Sequence, residues 1–408
     1  MRHILTFAIA GLMLGMAGCS SSQQESMKER ISTIDLDLLP MRWSEGRTRY
    51  AGYGTSEGEV PIRWKRSEQS GALPLFNEGL ALIELENERG LFDPNGELVV
   101  DLSGYAFTNR YMTEGIYLAQ REYPKTIVAF NRAGEVVFET DGKIHTPLRD
   151  GYALYSYDDE DFGIINAKGE IVYESGQDEW VSALCASPYT SPASFAHPTW
   201  FPLFRDKGFD NEFVCFLDIA TGKRYLEGLC PEDVEFTGMI PFVFDANDRL
   251  IVKIKSGGYG LLRLDGTWAV QPEYNFINYD GEWYYFENED WLAGWMDKDG
   301  KVMIEPQFEV LRSLRHETVF GISDWCLIDG PKGERYFIDR KGEVVLVPDA
   351  IPEGNFIGDR CLVNLTYNKG YQWMNRKGEL IGEPMFVTDE AVKSIKRIGM
   401  GYAIQYGW

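Results

Sequence analysis

Histidine and positive charge are scarce in this chain. Its 408 residues hold 4 His, and 40 Lys and Arg stand against 63 Asp and Glu, a formal charge of −23. His3 lies in an N-terminal leader, and His145, His197 and His316 are scattered. Neither a three-ligand zinc site nor a Ser/His/Asp triad has the converging groups it needs, so no catalytic residue, metal or cofactor is expected. The acid surplus repels phosphate backbones, which argues against a nucleic-acid partner and against a polybasic attachment to anionic lipid. After residue 16 no apolar run approaches the about 18 residues of a membrane helix. The 44 % hydrophobic and 25 % charged content is that of a folding chain, and excludes a disordered or collagen-like one.

The leader itself is informative. Arg2 and His3 precede an uncharged stretch from Ile4 to Met16, and small residues then run to Cys19. The stretch is too short to span a bilayer and reads as a removable export signal, residues 1–18. Met16-Ala17-Gly18-Cys19 resembles the lipobox of bacterial lipoproteins, with Met where Leu is usual. That resemblance implies cleavage before Cys19 and acylation of its thiol, and Ser20 after it implies sorting to the outer membrane, facing the periplasm or the cell surface. Residues 19–45 are expected to be the lipidated Cys and a polar, flexible tether.

The remainder, 46–408, repeats itself. An apolar pair, Asp or Asn, two variable residues, Gly, a polar residue and two apolar residues recur around Asp93/Gly96, Asn131/Gly134, Asn166/Gly169, Asp297/Gly300, Asp339/Gly342 and Asn375/Gly378. Arg263/Gly266 departs in its first residue, and Asp218/Gly222 is a weak copy. Asp and Asn bond their own backbone at the start of a turn and Gly takes positive φ at its end, so each copy predicts a β-hairpin. Pro272, Pro306, Pro348 and Pro384 each follow the hairpin Gly by six residues, and Gly79-Leu80-Ala81 and Gly115-Ile116-Tyr117 mark an upstream strand.

The run Gly294-Trp295-Met296-Asp297-Lys298-Asp299-Gly300-Lys301-Val302-Met303-Ile304-Glu305-Pro306-Gln307-Phe308 resembles the WG-repeat family, and looser copies cover about residues 70–408. The Trp-Gly pair itself is missing from every copy. Three or four strands per repeat suit an all-β propeller of seven or eight blades, and an open β-repeat stack is the alternative. No helix of ten or more residues shows a 3.6 period after the leader.

Among cysteines, Cys215 and Cys230 flank the weak hairpin and are the best-placed disulfide pair, while Cys326 and Cys361 are expected as buried thiols. Asp158–Asp161 and Asp297/Asp299 could offer oxygen to calcium, but turn chemistry explains them more simply. Residues 174–213 break the repeat with a Pro- and aromatic-rich insertion. Trp180, Tyr189, Phe195, Trp200 and Phe201 there are the expected partner-binding residues. The expected function is a non-catalytic binding or scaffolding module that meets the membrane through its lipid and an envelope protein or glycan through its body. A glycan-acting or other periplasmic enzyme with acids on the propeller face is the alternative.

Overall fold

The Asp/Asn-to-Gly spacing becomes one turn, built the same way each time. The computed structural model describes residues 32–400 apart from 108–110, 122, 149–150, 158–161, 177–178, 182–199, 207–210, 236–242, 245–247, 312–317 and 366–368. In it Oδ1 of Asp93, Asn131, Asn166, Asp297, Asp339 and Asn375 accepts the backbone N–H groups two and four residues on, at 2.8–3.0 Å. The Gly three residues on has φ of 79–83° in all six, a conformation that a Cβ would strain. Arg263 lacks the acceptor, and Asp265 Oδ1 takes the Thr267 N–H in its place at 2.9 Å. The Asp218 turn is one residue longer.

Among the described residues these hairpins belong to nine antiparallel sheets that follow one another along the chain. Sheet 1 spans 39–65, sheet 2 69–101, sheet 3 106–141, sheet 4 143–174 and sheet 5 180–225. Sheet 6 spans 234–274, sheet 7 276–309, sheet 8 325–346 and sheet 9 351–385. Each holds three to five strands.

The apolar pair before each Asp or Asn explains how they stack. Trp295 packs with Phe308, Phe320 and Ile338 between sheets 7 and 8, while its neighbour Met296 packs with Ile251 and Leu261 between sheets 6 and 7. Trp373 and Met374 divide in the same way between sheets 9 and 1 and sheets 8 and 9. Successive side chains of a strand point to opposite faces, so a strand covered on both sides needs consecutive apolar residues rather than alternation. The remaining interfaces are filled likewise from sheet 1 through to sheet 6.

The ninth sheet packs on the first, and the ring is closed as a β-propeller. Met41 bridges Val387, Arg42 N–H donates to Phe386 O at 3.0 Å, Thr388 N–H to Pro40 O at 3.0 Å, and Glu383 N–H to Ser56 O at 2.6 Å. Closure covers the end faces of sheets 1 and 9, and residues 386–388 pair with the free edge of the strand Leu39–Glu45. Helix α1 (Asp389–Gly399) follows directly and buries Ala391, Val392, Ile395 and Ile398 against the same seam.

Four expectations change. The sheets number nine because sheet 1 is a unit whose turn begins with Thr rather than Asp or Asn. Thr55 Oγ1 accepts from Glu57 and Glu59 N–H at 3.3 Å, and Gly58, three residues on, has φ 85°. The tether ends early: Ile34, Leu36, Leu38, Leu39 and Met41 are buried, and a strand runs over Leu39–Glu45. A helix of 11 residues exists after all, with Thr388 as N-cap, Asp389 and Glu390 in its first turn and Lys396 and Arg397 in its last. Most of the described part of the 174–213 insertion is sheet 5 itself, with strands Trp180–Val181, Trp200–Asp206 and Asn211–Asp218.

Candidate interaction surface

Of the aromatic residues expected to bind a partner, the three that are described, Trp180, Trp200 and Phe201, do not meet in one exposed patch. Trp200 is 5 % exposed, its ring 4.4 Å from Tyr225, and it packs with Phe216 and Leu250 between sheets 5 and 6. Phe201, next along the strand, faces the other way and is half-buried against sheet 4, its ring 6.4 Å from Tyr152. Trp180 is half-buried beside Phe204. Trp200 is thus a packing residue and not an anchor. Tyr189, Phe195, Cys19 and the Asp158–Asp161 run lie outside the described residues.

Cys215 and Cys230 are both free thiols, so the expected disulfide is not made. Cys215 belongs to the cluster between sheets 4 and 5, and Cys230 packs against the one between sheets 5 and 6, on the opposite face. Cys326 and Cys361 are buried free thiols. Desolvation pushes the Cys230 and Cys361 thiols up to about 12, leaving them protonated and unreactive. Among the described residues no group of three His, Cys, Asp or Glu is placed to hold a metal ion.

Arginines at three of the turns clamp sheets 3, 8 and 9 to the sheet before. Arg132 follows Asn131 and reaches back to Glu78 at 2.9 Å. Arg340 follows Asp339, pairs with Glu282 at 2.9 Å and lies 4.9 Å over the Trp283 ring. Arg376 follows Asn375, pairs with Asp324 at 2.7 Å and lies 4.8 Å over Trp325. Beside Arg340, Asp280 is buried in a tight turn, Oδ1 accepting from Glu282 N–H at 2.9 Å and Trp283 N–H at 2.6 Å. Burial pushes its carboxyl above the usual carboxylate range, although Arg340 pulls the other way.

Apolar side chains are exposed beside these charges. The two residues that follow the polar position after the hairpin Gly begin the last strand of their sheet, and in sheets 3, 4, 8 and 9 both are exposed. Val136 is 51 % exposed, Ile171 45 %, Val344 57 % and Leu380 46 %. In the sequence an apolar pair in a strand reads the same whether a neighbour covers it or not. The signal that separates the two cases is position: the pair before the turn lies on an inner strand, the pair after it on an edge.

Pro divides those edges into two kinds. In sheets 6, 7 and 9 the outer strand swells so that two inner residues face four outer ones, as with Ala293 and Trp295 against Phe308 and Ile304. Pro272, Pro306 and Pro384 sit inside these swellings, where no ladder N–H is needed. In sheets 6 and 7 the facing strand carries Gly at this point, whereas sheet 9 carries Gln372: a Cβ on Gly294 would come within 2.8 Å of Ile304 O and 2.9 Å of Pro306 N. The outer strands of sheets 2, 3 and 4 (Leu98–Asp101, Val136–Asp141 and Ile171–Glu174) contain no Pro.

Comparison with known proteins matches this construction locally. The model of the WG containing repeat matches residues 294–317, which include the Gly294–Phe308 run. No curated protein matches the chain in sequence. Among solved structures, BamB from Moraxella catarrhalis is similar at 12 % identity and a TM-score of 0.32, over 76 % of this chain and 93 % of that one. A eukaryotic initiation factor is similar at 8 % identity and a TM-score of 0.40, over 75 % and 84 %. The beta-propeller domain of Cps50 (Swd1) from Myceliophteria thermophila is similar at 12 % identity and a TM-score of 0.29, over 65 % and 94 %. Similarity at such identities is one of fold.

Proposed function

We propose that this chain is an envelope lipoprotein, held by acyl chains on Cys19, whose closed ring of sheets serves as a non-catalytic binding module for another envelope protein. The observation that carries the reading is how its polar and apolar groups are used. The turn acids and amides accept N–H groups of their own turns, the arginines beside them pair with the preceding sheet, and apolar side chains are left facing outward in several units. Acids already engaged in this way are poorly placed for acid–base chemistry on a substrate, whereas exposed apolar side chains rimmed by charge suit protein contact. The anchor rests on Met16-Ala17-Gly18-Cys19 and the polar segment after it. No described helix is long and apolar enough to cross a membrane, so the acyl chains would carry the attachment.

Crosslinking of the full-length chain in its native envelope, followed by affinity capture, tests the reading. A protein captured in stoichiometric amount is expected, and Cys19→Ala should release the chain from the membrane fraction and lose that protein. A chain that captures nothing stoichiometric but turns over an envelope glycan when purified overturns it.

A further inference from the structure

Three consecutive sheets present outer strands of one composition: Glu97-Leu98-Val99-Val100-Asp101, Glu135-Val136-Val137-Phe138-Glu139-Thr140-Asp141 and Glu170-Ile171-Val172-Tyr173-Glu174. Each starts and ends on an acid, contains exposed apolar residues, and has neither Lys nor Arg. Each is the last strand of its sheet and, among the described residues, is hydrogen-bonded to a sheet partner on one side only. Folded proteins commonly protect such edges with Pro, inward charge or a bulge, and this chain does so on sheets 6, 7 and 9. Sheets 2, 3 and 4 lack the Pro and the wide swelling: their outer strands slip by a single residue near the start, at Val99, Val137 and Val172, and run in regular register from there.

The strand Val136–Asp141 is the longest of the three, with Val136 51 % and Val137 47 % exposed. Glu135, Glu139 and Asp141 are exposed along it, and Arg121 on the same sheet is taken up by Glu139 at 3.6 Å. We propose that this edge is the docking site, and that its occupant is an extended segment of a partner protein in which Lys or Arg alternates with Val or Ile. Such a segment adds to the sheet as a further strand. Its backbone completes the ladder, its apolar side chains cover Val136 and Val137, and its cations meet the acids at both ends. Charge complementarity selects this occupant: the strand carries acids only, on a body of net charge −23, so an acidic segment is repelled. The inference rests on the binding-module reading and names its surface.

The test uses the full-length chain in detergent and a capped heptapeptide, Lys-Val-Lys-Val-Lys-Val-Lys, read by hydrogen exchange. Saturating peptide is expected to slow exchange at 136–141 by about tenfold or more and to leave 302–309 and 380–385 unchanged, since only an added strand protects edge amides. A peptide with Glu for Lys, or with Pro at its centre, should not protect. Val137→Lys, checked for unchanged thermal unfolding, should weaken the peptide by about tenfold, the equivalent of about 1.4 kcal/mol. No protection at 136–141 up to the solubility limit, equal protection of the Pro-bearing edges, or equal binding of the Glu peptide overturns the proposal. An envelope protein captured equally well by wild type and Val137→Lys would overturn this site while leaving the binding-module reading intact.

Discussion

The carboxylate of Glu114 accepts the backbone N–H of Gly151 at 2.8 Å, one sheet further round the ring, and Glu78 does the same for Gly115 at 2.8 Å. Both glutamates hold positive φ, 52° for Glu78 and 56° for Glu114, a conformation costly for a residue with a Cβ. Each glutamate is the first central residue of a two-residue turn closed by backbone bonds between Asn77 and Leu80 or Thr113 and Ile116, and the inter-sheet bond fixes its side chain. Glu78→Ala is therefore expected to cost about 1–3 kcal/mol, because it strands the Gly115 N–H and also removes the ion pair with Arg132. Glu78→Gln keeps an acceptor for Gly115 and should recover about half of that loss. Urea unfolding of the two variants separates the contributions, and equal losses would mean the Gly115 bond contributes nothing.

Gly294 tests the account of the outer bulges. Gly294→Ala places a methyl against Ile304 O, Pro306 N and the Phe286 ring. The expected loss is about 1–3 kcal/mol, as for other overpacked sites. Ala at Gly79, where a Cβ meets nothing within 4 Å, carries only the strain of φ 78° and should cost less. Melting temperatures in the reverse order would contradict the close approach.

Trp200→Ala should behave as a core deletion. Removing a ring that is 5 % exposed between sheets 5 and 6 is expected to cost about 3–5 kcal/mol. Binding by the folded fraction of the variant should be unchanged, as read from capture at a temperature well below its melting point. Weakened capture with full stability would return Trp200 to the interface.

Asp280 makes stability depend on pH. Its folded pKa lies above its unfolded value because burial disfavours the charged form, so the folded chain holds that proton more tightly. The associated stability is fully present below the unfolded carboxylate range and is lost as pH rises through the folded value. Asp280→Asn keeps the Oδ1 acceptor for Glu282 and Trp283 and removes the titration. The variant should therefore gain on the wild type as pH climbs from about 4 to 8. A constant difference across that range would show that Asp280 does not titrate there.

How much of this was legible depends on which interaction fixes each element. The hairpins were, since Asp or Asn and Gly three residues apart encode a turn locally, and the turns at Asp93 and Asp297 take that form. Sheet 1 was missed because Thr55 can cap the same turn with a hydroxyl; Gly52 and Gly58, three residues to either side, were the available signal. Helix α1 lies in a stretch of 11 residues whose Thr388 cap and i, i+4 pairing of Ala391 with Ile395 are readable, but its docking on the closure seam is set by residues more than 300 positions away, such as Ile34. Exposure of Val136 was readable only from its place after the turn, which puts it on an edge strand, whereas burial of Trp200 was not, because no repeat motif marks which strand of sheet 5 it lies on. The lack of a Cys215–Cys230 disulfide follows from the two faces of sheet 5, which only the register of its strands defines.

The closed ring is the claim on which the rest depends, and a crosslink across the seam tests it most directly. Met41 and Val387 face each other in an antiparallel bridge between the first sheet and the end of the last. Antiparallel partners lie about 4.5–5.5 Å apart at Cα, within the range that a disulfide spans. The chain carrying Met41→Cys and Val387→Cys should oxidise to a monomeric, internally crosslinked form with a melting temperature above that of its reduced form. An open stack of repeats would hold the two cysteines apart, and the oxidised chain would then stay uncrosslinked or link only between molecules.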